Sequence, residues 1–111
     1  MARARFRAAL PPLIVTESGC AYNMGPDEQG VVDDQPRIDY LESHLGAVAD
    51  AIARGVDVRG YYCWSLMDNF EWAWGLSKRF GLVRVDFATG ERTWKDSARW
   101  YRDVIARSGL G

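Results

Sequence analysis

Leu13-Ile14-Val15-Thr16-Glu17-Ser18-Gly19 reads as a short buried strand, residues 13–17, that runs straight into a turn. Its first four residues are apolar or β-branched, which suits a strand covered on both faces. Upstream, Pro11-Pro12 closes a basic segment, and residues 3–10 read as the end of a helix. Downstream, Gly19, Gly25, Pro26 and Gly30 make residues 18–34 a long loop. Asp33 and Asp34 then offer cap acceptors, and Pro36 suits a first helical turn. Ile38, Leu41, Leu45, Val48 and Ile52 recur alternately three and four residues apart. That spacing predicts an amphipathic helix over 36–54 with one buried face, closed by Gly55.

Gly60-Tyr61-Tyr62-Cys63-Trp64 continues the pattern as a second buried strand over 59–64, followed by an aromatic loop over 65–81. Leu82 to Asp86 alternates like a strand, and Glu91-Arg92-Thr93 is placed to pair back on it as a hairpin. Residues 94–108 read as a last helix, with Ala98, Tyr101, Val104 and Ile105 on its apolar face and Gly109 as its stop. Strand, helix, strand, helix is an α/β order. Such a crossover makes two parallel strands with a right-handed connection. Both strands then end on one edge of the sheet, at Glu17 and Trp64, and α/β folds place their sites on that edge.

Composition narrows the classes. A chain of 111 residues with 48% hydrophobic side chains is the length of one ordinary domain and excludes a disordered or fibrous protein. A net charge of −1 argues against broad nucleic-acid binding, and no apolar run approaches the ~20 residues of a membrane span. Arg3, Arg5 and Arg7 read as a solvated face. Two cysteines, Cys20 and Cys63, and one histidine, His44, form no metal spacing, so no metal or cofactor is expected. Unpaired cysteines and no signal peptide point to a cytoplasmic location. His44 beside the helix stripe reads as structural.

Glu17 at a strand end is either a catalytic carboxylate or a solvated loop glutamate. The segment Trp64-Ser65-Leu66-Met67-Asp68-Asn69-Phe70-Glu71-Trp72-Ala73-Trp74 interleaves three Trp with two acids. Indole faces stack on the C–H faces of sugar rings and carboxylates accept from hydroxyls, so this is a sugar surface or a hydrophobic plug over the core. The interleaved acids favour the surface, because an unpaired buried carboxylate is costly. On residue type alone, Glu17 and Glu71 are candidates for the paired carboxylates of a retaining glycosidase, which stand ~5 Å apart.

Three segments carry a specific resemblance. Leu13 to Gly19 resembles the Ile-Thr-Glu-Asn-Gly signature of family 1 glycoside hydrolases, the β-glucosidases and their relatives. Trp64 to Trp72 resembles their second hallmark, and Ser77-Lys78-Arg79-Phe80-Gly81-Leu82 their third, in the same order and spacing from about Leu10 to Ala106. The resemblance implies the last two strand–helix units of a (β/α)₈ barrel. It makes Glu17 the nucleophile that forms a covalent glycosyl-enzyme. It makes Trp64 the aromatic floor under the glycone, Glu71 the acid that clamps glycone hydroxyls, Trp72 an indole donor beside it and Phe80 a further wall. Trp74 falls where aglycone contacts are expected. The Glu71-Trp72 pair implies a non-phosphorylated glycone such as glucose, galactose or fucose, in a β-glucoside or oligosaccharide.

The same resemblance corrects the Glu17–Glu71 pairing. The family's acid/base is another glutamate, in an Asn-Glu-Pro motif that this sequence lacks. Ser18 also stands where the family has Asn. The expectation is therefore the C-terminal part of a retaining β-glucosidase, inactive as an isolated chain. The alternative is a non-catalytic truncated fragment that binds sugar weakly or self-associates. Its expected partners are the missing N-terminal part of a barrel or a second copy, with neither nucleic acid nor membrane.

Overall fold

The computed structural model describes residues 10–110. The helix read over residues 3–10 lies almost wholly outside the described residues. β1 (Leu13–Ser18) and β2 (Val58–Cys63) lie side by side and run parallel, with α1 (Gln35–Ala53) as the crossover. β3 (Val83–Val85) and β4 (Arg92–Trp94) form a separate antiparallel hairpin, and α2 (Asp96–Arg107) follows. Asp86 builds the hairpin turn: its Oδ1 accepts from the Ala88 N–H at 2.9 Å and its carbonyl from Gly90 at 2.7 Å.

Several boundaries differ from the sequence reading, each for a tertiary reason. Trp94 belongs to β4 rather than the last helix, because it pairs with Val83, and α2 starts at Asp96. The left-handed residue that ends α2 is Ser108 (φ 58°), one position before Gly109. Asp34 is the N-cap residue of α1, but its side chain makes no capping hydrogen bond there. Its buried carboxylate pairs with Arg37 and accepts the backbone N–H of Ser97 at 2.8 Å, so it serves the first turn of α2 instead. Asp33 Oδ1 accepts from the Gln35 N–H at 3.1 Å.

Leu41, Leu82 and Ala98 form the buried centre, flanked by Tyr40, Tyr61, Cys63, Trp100 and Tyr101. Ile38 and Leu41 are buried on α1, but Ile52 at the far end of the same stripe is 50% exposed. On α2, Ala98 and Val104 are buried and Ile105 is 65% exposed. Each amphipathic face is thus only part covered. The radius of gyration, 16.2 Å, exceeds the ~13 Å of a compact domain near this length. No closed (β/α)₈ barrel is present among the described residues: the parallel sheet has two strands, and the expected barrel needs eight. No helix among the described residues is long and apolar enough to cross a membrane.

Candidate active site

β1 and β2 both end at one pocket of about 430 Å³. Glu17, Trp64, Glu71, Trp72 and Phe80 all line it, together with Ser18, Gly19 and Tyr40. The parallel pairing is what brings Glu17 and Trp64 together. The Trp64 N–H donates to the Ser18 carbonyl at 2.9 Å, and a Cβ on Gly19 would stand 1.9 Å from the Trp64 carbonyl oxygen. Only glycine permits that approach. A cis peptide joins Trp64 to Ser65.

The loop after β2 is folded back by its own backbone. Ser65 donates to the Phe80 carbonyl at 3.1 Å, and Leu82 donates to Ser65 at 2.9 Å, which sets Phe80 beside Trp64. Glu71 donates its N–H to Gly75 at 2.7 Å around a single 3₁₀ turn, Trp72–Trp74. Trp72 holds φ at +45°, a region that bulky side chains rarely adopt. Such strain collects at functional sites. The loop after β1 is tied to the same wall, for the Arg79 N–H donates to Asn23 Oδ1 at 2.8 Å and Tyr22 donates to the Arg79 carbonyl at 3.0 Å.

Trp74 does not line this pocket. It is largely exposed, and the Lys78 ammonium sits 5.1 Å from its ring centre. The two acids of the aromatic loop also part company. Glu71 faces the pocket, whereas Asp68 is buried and accepts from Lys95 Nζ at 2.8 Å, Arg79 Nη1 at 2.6 Å and the Gly81 N–H at 3.0 Å. Burial alone would raise the Asp68 carboxyl, but the hydrogen bonds from Lys95 and Arg79 outweigh it and hold it below the usual carboxylate range. Asp68 is a structural anchor for the loop, not an acceptor for sugar hydroxyls.

The sequence profile of Glycosyl hydrolase family 1 matches residues 3–110. The chain belongs to glycosyl hydrolase family 1. A β-glucosidase from Agrobacterium sp. is 58% identical over 95 residues, which cover 86% of this chain and 20% of that enzyme. A 6-phospho-β-galactosidase from Staphylococcus epidermidis is 50% identical over 93 residues, 83% of this chain and 20% of that enzyme. A family 1 β-glucosidase from Thermotoga maritima, solved in complex with isofagomine lactam, superposes with a TM-score of 0.93 at 46% identity. That match covers 99% of this chain and 25% of the solved one. The family 1 chain thus spans about a fifth of the length of the curated relatives it matches.

Two features of this family 1 chain had little signal in its sequence. Tyr40 reaches the pocket from α1, although its helical position says only that it flanks the apolar stripe. It carries the His44 ring stacked on it at 3.8 Å between centres, and His44 Nδ1 lies 2.7 Å from the Tyr40 carbonyl oxygen. Arg37 is buried and donates to the Tyr22 carbonyl at 3.1 Å and the Arg79 carbonyl at 2.7 Å, so it joins both site loops to α1. Among the described residues no group of three His, Cys, Asp or Glu is arranged to hold a metal.

Proposed function

We propose that this chain is the C-terminal part of a retaining β-glucosidase and carries its nucleophile, Glu17, with half of a glycone subsite. The observation that carries this reading is the convergence of Glu17, Trp64, Glu71, Trp72 and Phe80 on one pocket at the ends of two parallel strands. In the retaining mechanism a carboxylate attacks the anomeric carbon and the leaving oxygen departs with a proton from a second carboxyl group. The resulting glycosyl ester is then hydrolysed by water that the second group deprotonates. Glu17 takes the first role. Trp64 stacks under the sugar ring, Glu71 accepts from its hydroxyls, Trp72 donates its indole N–H and Phe80 closes one side. Trp74 extends toward the aglycone.

The second carboxyl group belongs to an Asn-Glu-Pro motif outside these 111 residues, in the part of the barrel that supplies the remaining strands. The glycone is non-phosphorylated. Overall identity does not separate glucosidases from 6-phosphogalactosidases here, so this point rests on the Glu71-Trp72 pair. A cytoplasmic setting, with Cys20 and Cys63 both free thiols, belongs to the same reading.

Hydrolysis of a p-nitrophenyl β-glucoside by the purified 111-residue chain tests it. The expected result is no turnover above background. Robust turnover that Glu17→Gln abolishes would overturn the assignment of the acid/base to a missing segment. A 2-deoxy-2-fluoroglucosyl fluoride needs no acid to leave, so mass spectrometry of the treated chain reports on Glu17 alone; an adduct on any other carboxylate removes Glu17 from the role.

A second reading, a self-associating fragment, is favoured by the two apolar cavities left open beside α1 and α2, about 260 and 220 Å³. Sedimentation as a well-behaved monomer would count against it.

A further inference from the structure

β1 and β2 do not keep one register. Val15 pairs with Tyr61 and Ser18 with Cys63, so three steps along β1 match two along β2. The extra residue is a bulge at Thr16-Glu17, and a bulge breaks the alternation of faces and re-aims a side chain. In an unbroken strand Val15 and Glu17 would share a face. Here Val15 and Ser18 line the apolar cavity beside α1, along with Val58 and Tyr61, while Glu17 lines the site pocket.

A specific contact holds this arrangement. The Tyr61 hydroxyl donates to Ser18 Oγ at 2.7 Å. The Tyr61 ring packs against the Leu41, Leu82 and Ala98 core, so it is a fixed support rather than a mobile one. Ser18 in turn lines both the cavity and the site pocket, immediately after Glu17.

We propose that Ser18 and Tyr61 are a positioning pair, in which a hydroxyl–hydroxyl bond anchored in the core holds the bulged end of β1 and thereby sets the direction of the Glu17 carboxylate. The proposal rests on Glu17 as the reacting carboxylate, but it concerns only where that group is held. A serine hydroxyl at this position is short enough to meet the Tyr61 phenol directly. Burial pushes the Tyr61 phenol up from its ordinary value, and the bond to Ser18 works against that rise.

The test is carbon-13 NMR of the full chain with labelled glutamate carboxyls, the Glu17 signal being assigned by its loss in Glu17→Gln. Ser18→Ala and Tyr61→Phe are each expected to shift the Glu17 resonance. The double variant shifts it no further than either single one, and Ser18→Thr restores the parent position. Val104→Ala, which loosens α2 away from the pair, lowers stability and leaves the Glu17 signal in place. A Glu17 signal unmoved by both single variants overturns the proposal. Failure of the fluorosugar to label Glu17 strikes the nucleophile assignment alone and leaves these NMR outcomes to stand or fall separately.

Discussion

Lys95 Nζ lies 2.8 Å from Asp68 Oδ1, and both side chains are sealed from solvent. Asp68 sits in the aromatic loop and Lys95 immediately before α2, so one ion pair pins the site loop to the last helix. Removing one partner of a buried pair strands the other charge, which costs about 3–5 kcal/mol. Asp68→Ala is therefore expected to lose stability on that scale in urea unfolding followed by tryptophan fluorescence. The exposed Asp57–Arg59 pair, at 2.9 Å, is screened by water, and Asp57→Ala is expected to leave the transition in place. Equal effects from the two substitutions would sink the argument.

The same carboxylate sets an acid limit. Asp68 is held below its ordinary value in the folded chain, so the folded state binds fewer protons there than the unfolded one. Its contribution is fully present above the ordinary carboxylate pKa of about 4 and is lost as pH falls from there through the lowered value. The urea midpoint is expected to drop steeply below about pH 4 and to drop less in Asp68→Asn. A parallel acid limb in both chains would assign the acid sensitivity to other groups.

Burial pushes the Cys63 thiol up to about 11. Arg37 opposes that rise and Cys20 adds to it. At pH 8 the thiolate fraction is then on the order of a hundredfold below that of an ordinary cysteine, and the thiolate is the reactive form. Iodoacetamide should modify Cys63 correspondingly slowly in the folded chain and at the ordinary rate in urea. Rapid native-state labelling of Cys63 would show that the strand end is open.

Two glycines give opposite expectations within one chain. Gly19→Ala drives a Cβ to 1.9 Å from a backbone oxygen that no rotamer can move, with a loss on the order of 3 kcal/mol or more. Gly46 lies inside α1 with nothing within 4 Å of an added Cβ, so Gly46→Ala should stabilise by about 1 kcal/mol through helix propensity. Thermal unfolding of both variants checks the pair, and a destabilised Gly46→Ala would contradict the open space on that helix face.

Much of the site was legible because its residues cluster locally. Glu17 closes a β-branched run and Trp64 closes an aromatic one, and a parallel crossover brings such strand ends to one edge. Local pattern could not separate Asp68 from Glu71. Both are acids in one aromatic loop, and what distinguishes them is Lys95, 27 positions away. Asp34 misled for the same reason, since its partner Ser97 is 63 positions distant and outcompetes the local cap. The start of α2 slipped because Trp94 pairs with Val83, and pairing overrides a helical pattern.

From its residues alone this chain is an α/β strand–helix–strand unit whose two strand ends carry a carboxylate and a tryptophan. That much follows from periodicity, because side-chain spacing fixes which elements form and which face they bury. Folding settled the rest. The bulge at Thr16-Glu17 depends on how β1 meets β2, and the division between anchoring and pocket-facing acids depends on charges brought from distant segments. The length of 111 residues suggested one ordinary domain; among the described residues the helix faces are only half covered and each sheet has two strands, because the apolar stripes extend beyond the neighbours there that can cover them.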